Sequence, residues 1–108
     1  MNNWWTDADR EAFNKLGEQL VAQYEGYQPL PGKSIQGRLT LGENIADVSG
    51  LAVAYRAYRL SLGGKEAPVV DGLTGDQRFF FGWARVWRSR YRDAALLQQL
   101  TTDPHSPG

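Results

Sequence analysis

Thr40-Leu41-Gly42-Glu43-Asn44-Ile45-Ala46-Asp47-Val48-Ser49-Gly50 opens the most apolar part of the chain. From Ile45 to Tyr58 the residues are almost all Ile, Ala, Val, Leu, Tyr, Gly or Ser, and Arg56 is the only charge besides Asp47. A helix that is apolar all round is expected to be buried. Glu43 and Asp47 stand four apart, about 40° around a helix axis, so they project from one face. A carboxylate on a buried helix loses its hydration and needs a cation, a metal or several hydrogen-bond donors. Two readings stay open. Thr40-x-x-Glu43 fits a capping box, in which the Glu43 carboxylate turns back to the Thr40 backbone N–H and Asp47 is a solvated surface residue. Alternatively, both carboxylates point at one cation.

The rest of the chain supports an all-α reading. Thr6 and Asp9 predict the start of a first helix, and Trp5, Ala8, Ala12, Phe13, Leu16, Leu20 and Tyr24 carry its three- and four-residue steps to about Tyr27. Gln28-Pro29-Leu30-Pro31-Gly32-Lys33 breaks it. Ser34 to Leu39 reads as an extended or irregular connection. The second helix is expected to start at the Thr40 cap and run to about Leu62, where Gly63-Gly64 stops it. Thr74-x-x-Gln77 is a second capping box and predicts a third helix to about Tyr91. Asp93 would cap a short fourth helix, Ala94 to about Leu100, and the Pro-flanked tail is irregular. The expectation is three longer helices and a short C-terminal one, with residues 1–108 forming a single domain.

Composition narrows the function classes. The 108 residues carry 12 Lys and Arg against 12 Asp and Glu, so bulk charge holds the chain to neither nucleic acid nor anionic lipid. The absence of cysteine excludes a disulfide framework and thiolate metal sites. No apolar run reaches the roughly 18 residues of a membrane span, and the N-terminus lacks the pattern of a signal peptide. Arg78, Arg85, Arg88, Arg90 and Arg92 interleave with aromatics in the manner of a nucleic-acid surface. The balanced charge makes them stems that cover a helix and pair within the protein. Four Trp, five Tyr and four Phe supply more apolar area than one small core hides. His105 is the only histidine and builds no metal site alone.

Leu41-Gly42-Glu43-Asn44-Ile45-Ala46-Asp47, then Gly50-Leu51-Ala52 and Ala54-Tyr55-Arg56-Ala57-Tyr58, resemble the neprilysin family of zinc metallopeptidases. So do Trp4-Trp5-Thr6, Phe79-Phe80, Ala84-x-Val86-Trp87 and the tail Thr102-Asp103-Pro104-His105-Ser106-Pro107-Gly108. The resemblance covers essentially the whole chain, with Gly63 to Gly72 its variable loop. It implies that Glu43 is the third protein ligand of a catalytic Zn2+, beside the two His of a His-Glu-x-x-His motif. It implies that Asp47 accepts a hydrogen bond from a ligand imidazole and that His105 stabilises the oxyanion formed at the peptide carbonyl. Val86 and Trp87 fall where the family lines the apolar pocket for the residue after the scissile bond.

The chain departs from the family in two ways. Residues 1–108 contain neither His-Glu-x-x-His nor the Phe-Arg pair that the family has after the Gly matching Gly108. The chain therefore reads as a C-terminal segment of a catalytic domain, neither holding zinc tightly nor cleaving peptides by itself. Its parent would cut modest-sized peptides before apolar residues. Uncovered helix faces point to self-association. The absence of Cys, with Arg88 where some relatives have Cys, resembles a bacterial member. The compartment is not encoded in the chain, and the resemblance implies an extracytoplasmic parent. The competing reading is a non-catalytic helical protein-interaction module derived from such an enzyme.

Overall fold

The computed structural model describes residues 4–108, and its elements are four α-helices: α1 (Asp7–Glu25), α2 (Gly37–Ser61), α3 (Gly75–Trp87) and α4 (Asp93–Thr102). Among the described residues there is no strand, only isolated bridges at Leu30–Lys33 and Val70–Leu73. Thr6 caps α1 as its sequence predicts: its Oγ1 accepts from the Asp9 N–H at 3.1 Å. Leu30-Pro31-Gly32-Lys33 closes into a tight turn, with Gly32 at φ 69° in the left-handed region that such a turn requires.

The start of α2 departs from expectation. It begins at Gly37, and Thr40, expected as its cap, lies inside it. The Thr40 backbone N–H donates to the Gln36 carbonyl at 3.1 Å, so it is not free for Glu43. The cause is tertiary. A Cβ at Gly37 would lie 2.5 Å from the Val21 carbonyl oxygen, so the backbones of α1 and α2 meet where only glycine fits. Arg38 adds a two-pronged ion pair to Glu18 of α1, at 2.8 and 2.7 Å. At its other end α2 stops as expected, with Gly63 and Gly64 both at positive φ.

The capping box of α3 forms as written. The Thr74 N–H donates to Gln77 Oε1 at 2.9 Å and the Gln77 N–H donates to Thr74 Oγ1 at 3.2 Å. The helix ends at Trp87 rather than near Tyr91. The Trp87 carbonyl accepts from the Ser89 N–H at 2.8 Å, and the backbone of Gly108 packs against it with no room for a side chain. With that carbonyl turned away, the next helical hydrogen bond cannot form. Asp93 is the first residue of α4 rather than its cap, which is Arg92 in extended conformation. Arg78 of the Arg/aromatic run is used internally: its guanidinium donates to the carbonyls of Pro68 and Leu73 at 2.7 and 2.9 Å, fastening the loop before α3.

The buried apolar side chains are Val21, Ile35 and Leu100. Between α2 and α3, Tyr55, Tyr58, Phe79 and Phe80 form an aromatic cluster with neighbouring ring centroids 5.1 to 6.3 Å apart. The expectation that α2 is buried fails within this chain: Val53 and Leu60 are 70% and 71% exposed. The radius of gyration is 17.6 Å, against about 13 Å for a compact domain of this length. The helices form an open layer, and the apolar faces of α2 and α3 look outward from it.

Candidate active site

Glu43 and Asp47 lie on one face of α2, as their spacing requires. Glu43 does not turn back to cap the helix, one of the two orientations its sequence pattern leaves open. Its Oε2 lies 3.3 Å from His105 Nε2, with both side chains about half exposed. His105 follows α4 in the irregular tail and is oriented by Asp103. The Asp103 Oδ1 accepts the His105 backbone N–H at 2.9 Å and lies 2.9 Å from its Nδ1. This turn, closed by an Asp side chain onto the N–H two residues on, suits Asp followed by Pro.

The imidazole therefore sits between two carboxylates. A neutral ring donating from Nδ1 to Asp103 would turn the Nε2 lone pair toward the Glu43 oxygen, whereas an imidazolium donates to both. The hydrogen bond to Asp103 raises the His105 pKa above its ordinary value, and the charges of Glu43, Asp103 and Asp47 raise it further against the opposing effect of burial. The His105 backbone N–H, followed by its imidazole, holds the Asp103 carboxyl below its usual range.

Asp47 reaches a different environment. It lines a cavity of about 190 Å³ with Tyr24, Leu51, Trp83, Trp87 and Pro107. Burial, and then the charge of Asp47, raise the Tyr24 pKa. The Trp87 indole N–H is buried with no hydrogen-bond partner among the described residues. Val86 is 74% exposed and borders a separate groove with Leu51, Ala54, Phe79 and Gly82. The structure thus brings Glu43 and His105 together and Asp47 and Trp87 to one cavity, while Val86 faces elsewhere.

Residues outside the expected set complete the arrangement. Asn44 is a polar side chain only 3% exposed on an otherwise apolar helix, and its Oδ1 accepts from the Ser106 hydroxyl at 2.9 Å. Its signal was in the sequence, since a buried amide must find partners. The Asp103-Pro104-His105 spacing was a comparable signal for Asp103. For zinc, the carboxylate of Glu43 has the right chemistry for one ligand. Among the described residues no three His, Cys, Asp or Glu side chains are grouped to hold a metal ion.

An open all-α layer that carries a Glu-Asn-Ile-Ala-Asp helix face opposed by a histidine is a segment of a helical metallopeptidase domain, and the chain belongs to peptidase family M13, which it matches over residues 1–108. It is 45% identical over 107 residues to endothelin-converting enzyme 1 of Cavia porcellus, covering 96% of this chain and 14% of that protein. To Neprilysin-3 of Drosophila melanogaster it is 40% identical over 111 residues, covering 99% and 14%. The structure of Mycobacterium tuberculosis zinc metalloprotease Zmp1 in complex with an inhibitor matches it with TM-score 0.92 and 50% identity, over 99% of this chain and 17% of that one. The chain thus spans 14% of the length of these curated relatives.

Proposed function

We propose that residues 1–108 are the C-terminal segment of the catalytic domain of a zinc metalloendopeptidase that hydrolyses peptides. The observation that carries this reading is the Glu43–His105 approach at 3.3 Å, which puts a zinc-type carboxylate beside a hydrogen-bond donor from the far end of the chain. Zinc, when bound, supplies a Lewis acid that activates water and polarises the peptide carbonyl. Glu43 is its third protein ligand, the two His coming from a His-Glu-x-x-His segment outside residues 1–108. Asp47, with no ion pair or side-chain hydrogen bond among the described residues, accepts the outer N–H of a ligand imidazole and fixes its tautomer. His105, whose pKa its carboxylate neighbours raise, donates a hydrogen bond to the oxyanion as charge develops on the substrate carbonyl. Trp87 supplies apolar wall for the substrate residue after the scissile bond, and Val86, which borders the neighbouring groove, is joined to that pocket by the family resemblance alone. The parent acts in an extracytoplasmic compartment and is bacterial.

The test uses the chain alone and a longer protein that carries it. Purified residues 1–108 retain no stoichiometric zinc by elemental analysis and cleave no peptide. Tight zinc in that chain, or peptidase activity that chelators abolish, overturns the reading. In the longer protein, Glu43→Gln loses zinc, whereas His105→Gln keeps zinc and lowers kcat by roughly 100- to 1,000-fold.

A second reading draws on the open apolar faces of α2 and α3: a non-catalytic helical interaction module derived from such an enzyme. The coding sequence upstream of Met1 decides between them. Continuation into His-Glu-x-x-His supports the peptidase, and a stop codon supports the module.

A further inference from the structure

Gln36, Thr40 and Asn44 form a polar stripe, spaced four apart, along the N-terminal turns of α2. A directed series of hydrogen bonds runs through them. The Gln36 side-chain amide donates to the Leu100 carbonyl at 2.7 Å. The Thr40 hydroxyl donates to the Gln36 carbonyl at 3.3 Å and accepts from Asn44 Nδ2 at 2.9 Å. The Asn44 Oδ1 then accepts from the Ser106 hydroxyl at 2.9 Å. Because the Thr40 proton is committed to Gln36, Thr40 can only accept from Asn44, and this turns the amide oxygen toward Ser106. Leu100 is in the last turns of α4 and Ser106 follows His105. The stripe therefore holds the segment that carries His105 at both ends.

We propose that Asn44 and Ser106 are positioning residues that clamp His105 over Glu43, an inference that rests on the oxyanion role proposed for His105. Asp103 orients the imidazole, but it belongs to the same irregular segment and cannot locate that segment against α2. The Glu43–His105 pair is about half exposed, and ion pairs in water hold geometry weakly. Gly108 packs against the Trp87 carbonyl of α3, and Pro107 borders the cavity beside Asp47, but neither engages the imidazole or Glu43 by a hydrogen bond. The Ser106–Asn44 bond, made to an amide that is 3% exposed and adjacent to Glu43 in sequence, is the tail's direct hydrogen bond to α2 beside Glu43 and holds His105 over it. An oxyanion donor acts only if it is in place before charge develops, so the clamp supplies that preorganisation.

Ser106→Ala removes one half-buried hydroxyl and leaves the Thr40–Asn44 bond intact, and Ser106→Thr keeps the hydroxyl. In the 108-residue chain, NMR relaxation of the amides of Asp103, His105 and Ser106 reads the clamp directly. Ser106→Ala lowers their order parameters from rigid values of about 0.85 to below about 0.6, without change in α1 or α2, and Ser106→Thr restores them. Unchanged order parameters in Ser106→Ala refute the clamp. In the longer peptidase, Ser106→Ala lowers kcat on the order of tenfold to a hundredfold with KM and zinc content unchanged, and Ser106→Thr recovers it. Loss of zinc, or a change confined to KM, marks a merely structural role and overturns the inference. If His105→Gln itself leaves kcat unchanged, the role proposed for His105 fails while the clamp stands or falls on relaxation alone.

Discussion

His105 is the residue on which the site's electrostatics converge. Its raised pKa arises first from the hydrogen bond to Asp103 and then from the charges of Glu43, Asp103 and Asp47. The chain has a single histidine, so one imidazole signal reports the titration without assignment. Its NMR midpoint in the 108-residue chain lies above the ordinary value of about 6.5. Asp103→Asn lowers that midpoint, and Glu43→Gln lowers it less, because Asp103 accepts a hydrogen bond from the ring whereas Glu43 acts through its charge. A midpoint at or below the ordinary value contradicts the two-carboxylate setting. The sign of the linkage follows: the folded pKa exceeds the unfolded one, so folding binds a proton more tightly. The stability contributed by His105 is fully present below about pH 6.5 and is lost as pH rises through the folded-state value. Denaturation midpoints of the parent chain and Asp103→Asn therefore differ most in mild acid and converge at alkaline pH.

At the scale of elements, two stretches with the same local signature behave differently. Thr74-x-x-Gln77 makes a capping box, and Thr40-x-x-Glu43 does not. Nothing local separates them. Thr40 is drawn inside α2 because Gly37 docks on Val21 and because the Gln36, Thr40 and Asn44 stripe binds the segment after α4. Two substitutions check this. Thr74→Ala costs about 1 kcal/mol by urea denaturation, the ordinary value of a lost N-cap. Gly37→Ala, a better helix former at a helical position, destabilises by roughly 1–3 kcal/mol because its Cβ meets the Val21 backbone. A Gly37→Ala chain as stable as the parent would mean that α1 and α2 are not held at this distance.

For the whole molecule, the decisive property is uncovered apolar surface. Val53, Leu60, Phe81 and Val86 are each more than half exposed, and the grooves flanking α2 are lined by Leu16, Ile45 and Val48 on one side and by Leu51, Phe79 and Val86 on the other. Contiguous apolar area of this kind marks an interaction surface. We propose that the isolated chain self-associates through it: sedimentation at rising concentration shows species heavier than 12.1 kDa. Val48→Glu and Phe81→Glu, which charge the face at positions more than half exposed, shift the chain toward monomer. A strictly monomeric parent chain at high concentration removes this proposal.

The sequence by itself determined the all-α class, the turns at Pro31-Gly32 and Gly63-Gly64, the shared face of Glu43 and Asp47, and the family. These follow from periodicity, from backbone preferences of single residues and from a motif within one helix, all of which act over a few positions. Tertiary structure alone decided that α2 begins at Gly37, that α3 ends at Trp87 and that Glu43 faces His105. Each of those outcomes depends on groups distant in sequence: Val21 against Gly37, Gly108 against Trp87, Ser106 on Asn44. A local pattern carries no information about which remote carbonyl or hydroxyl will occupy the space beside it, and that occupancy is what places His105 beside Glu43.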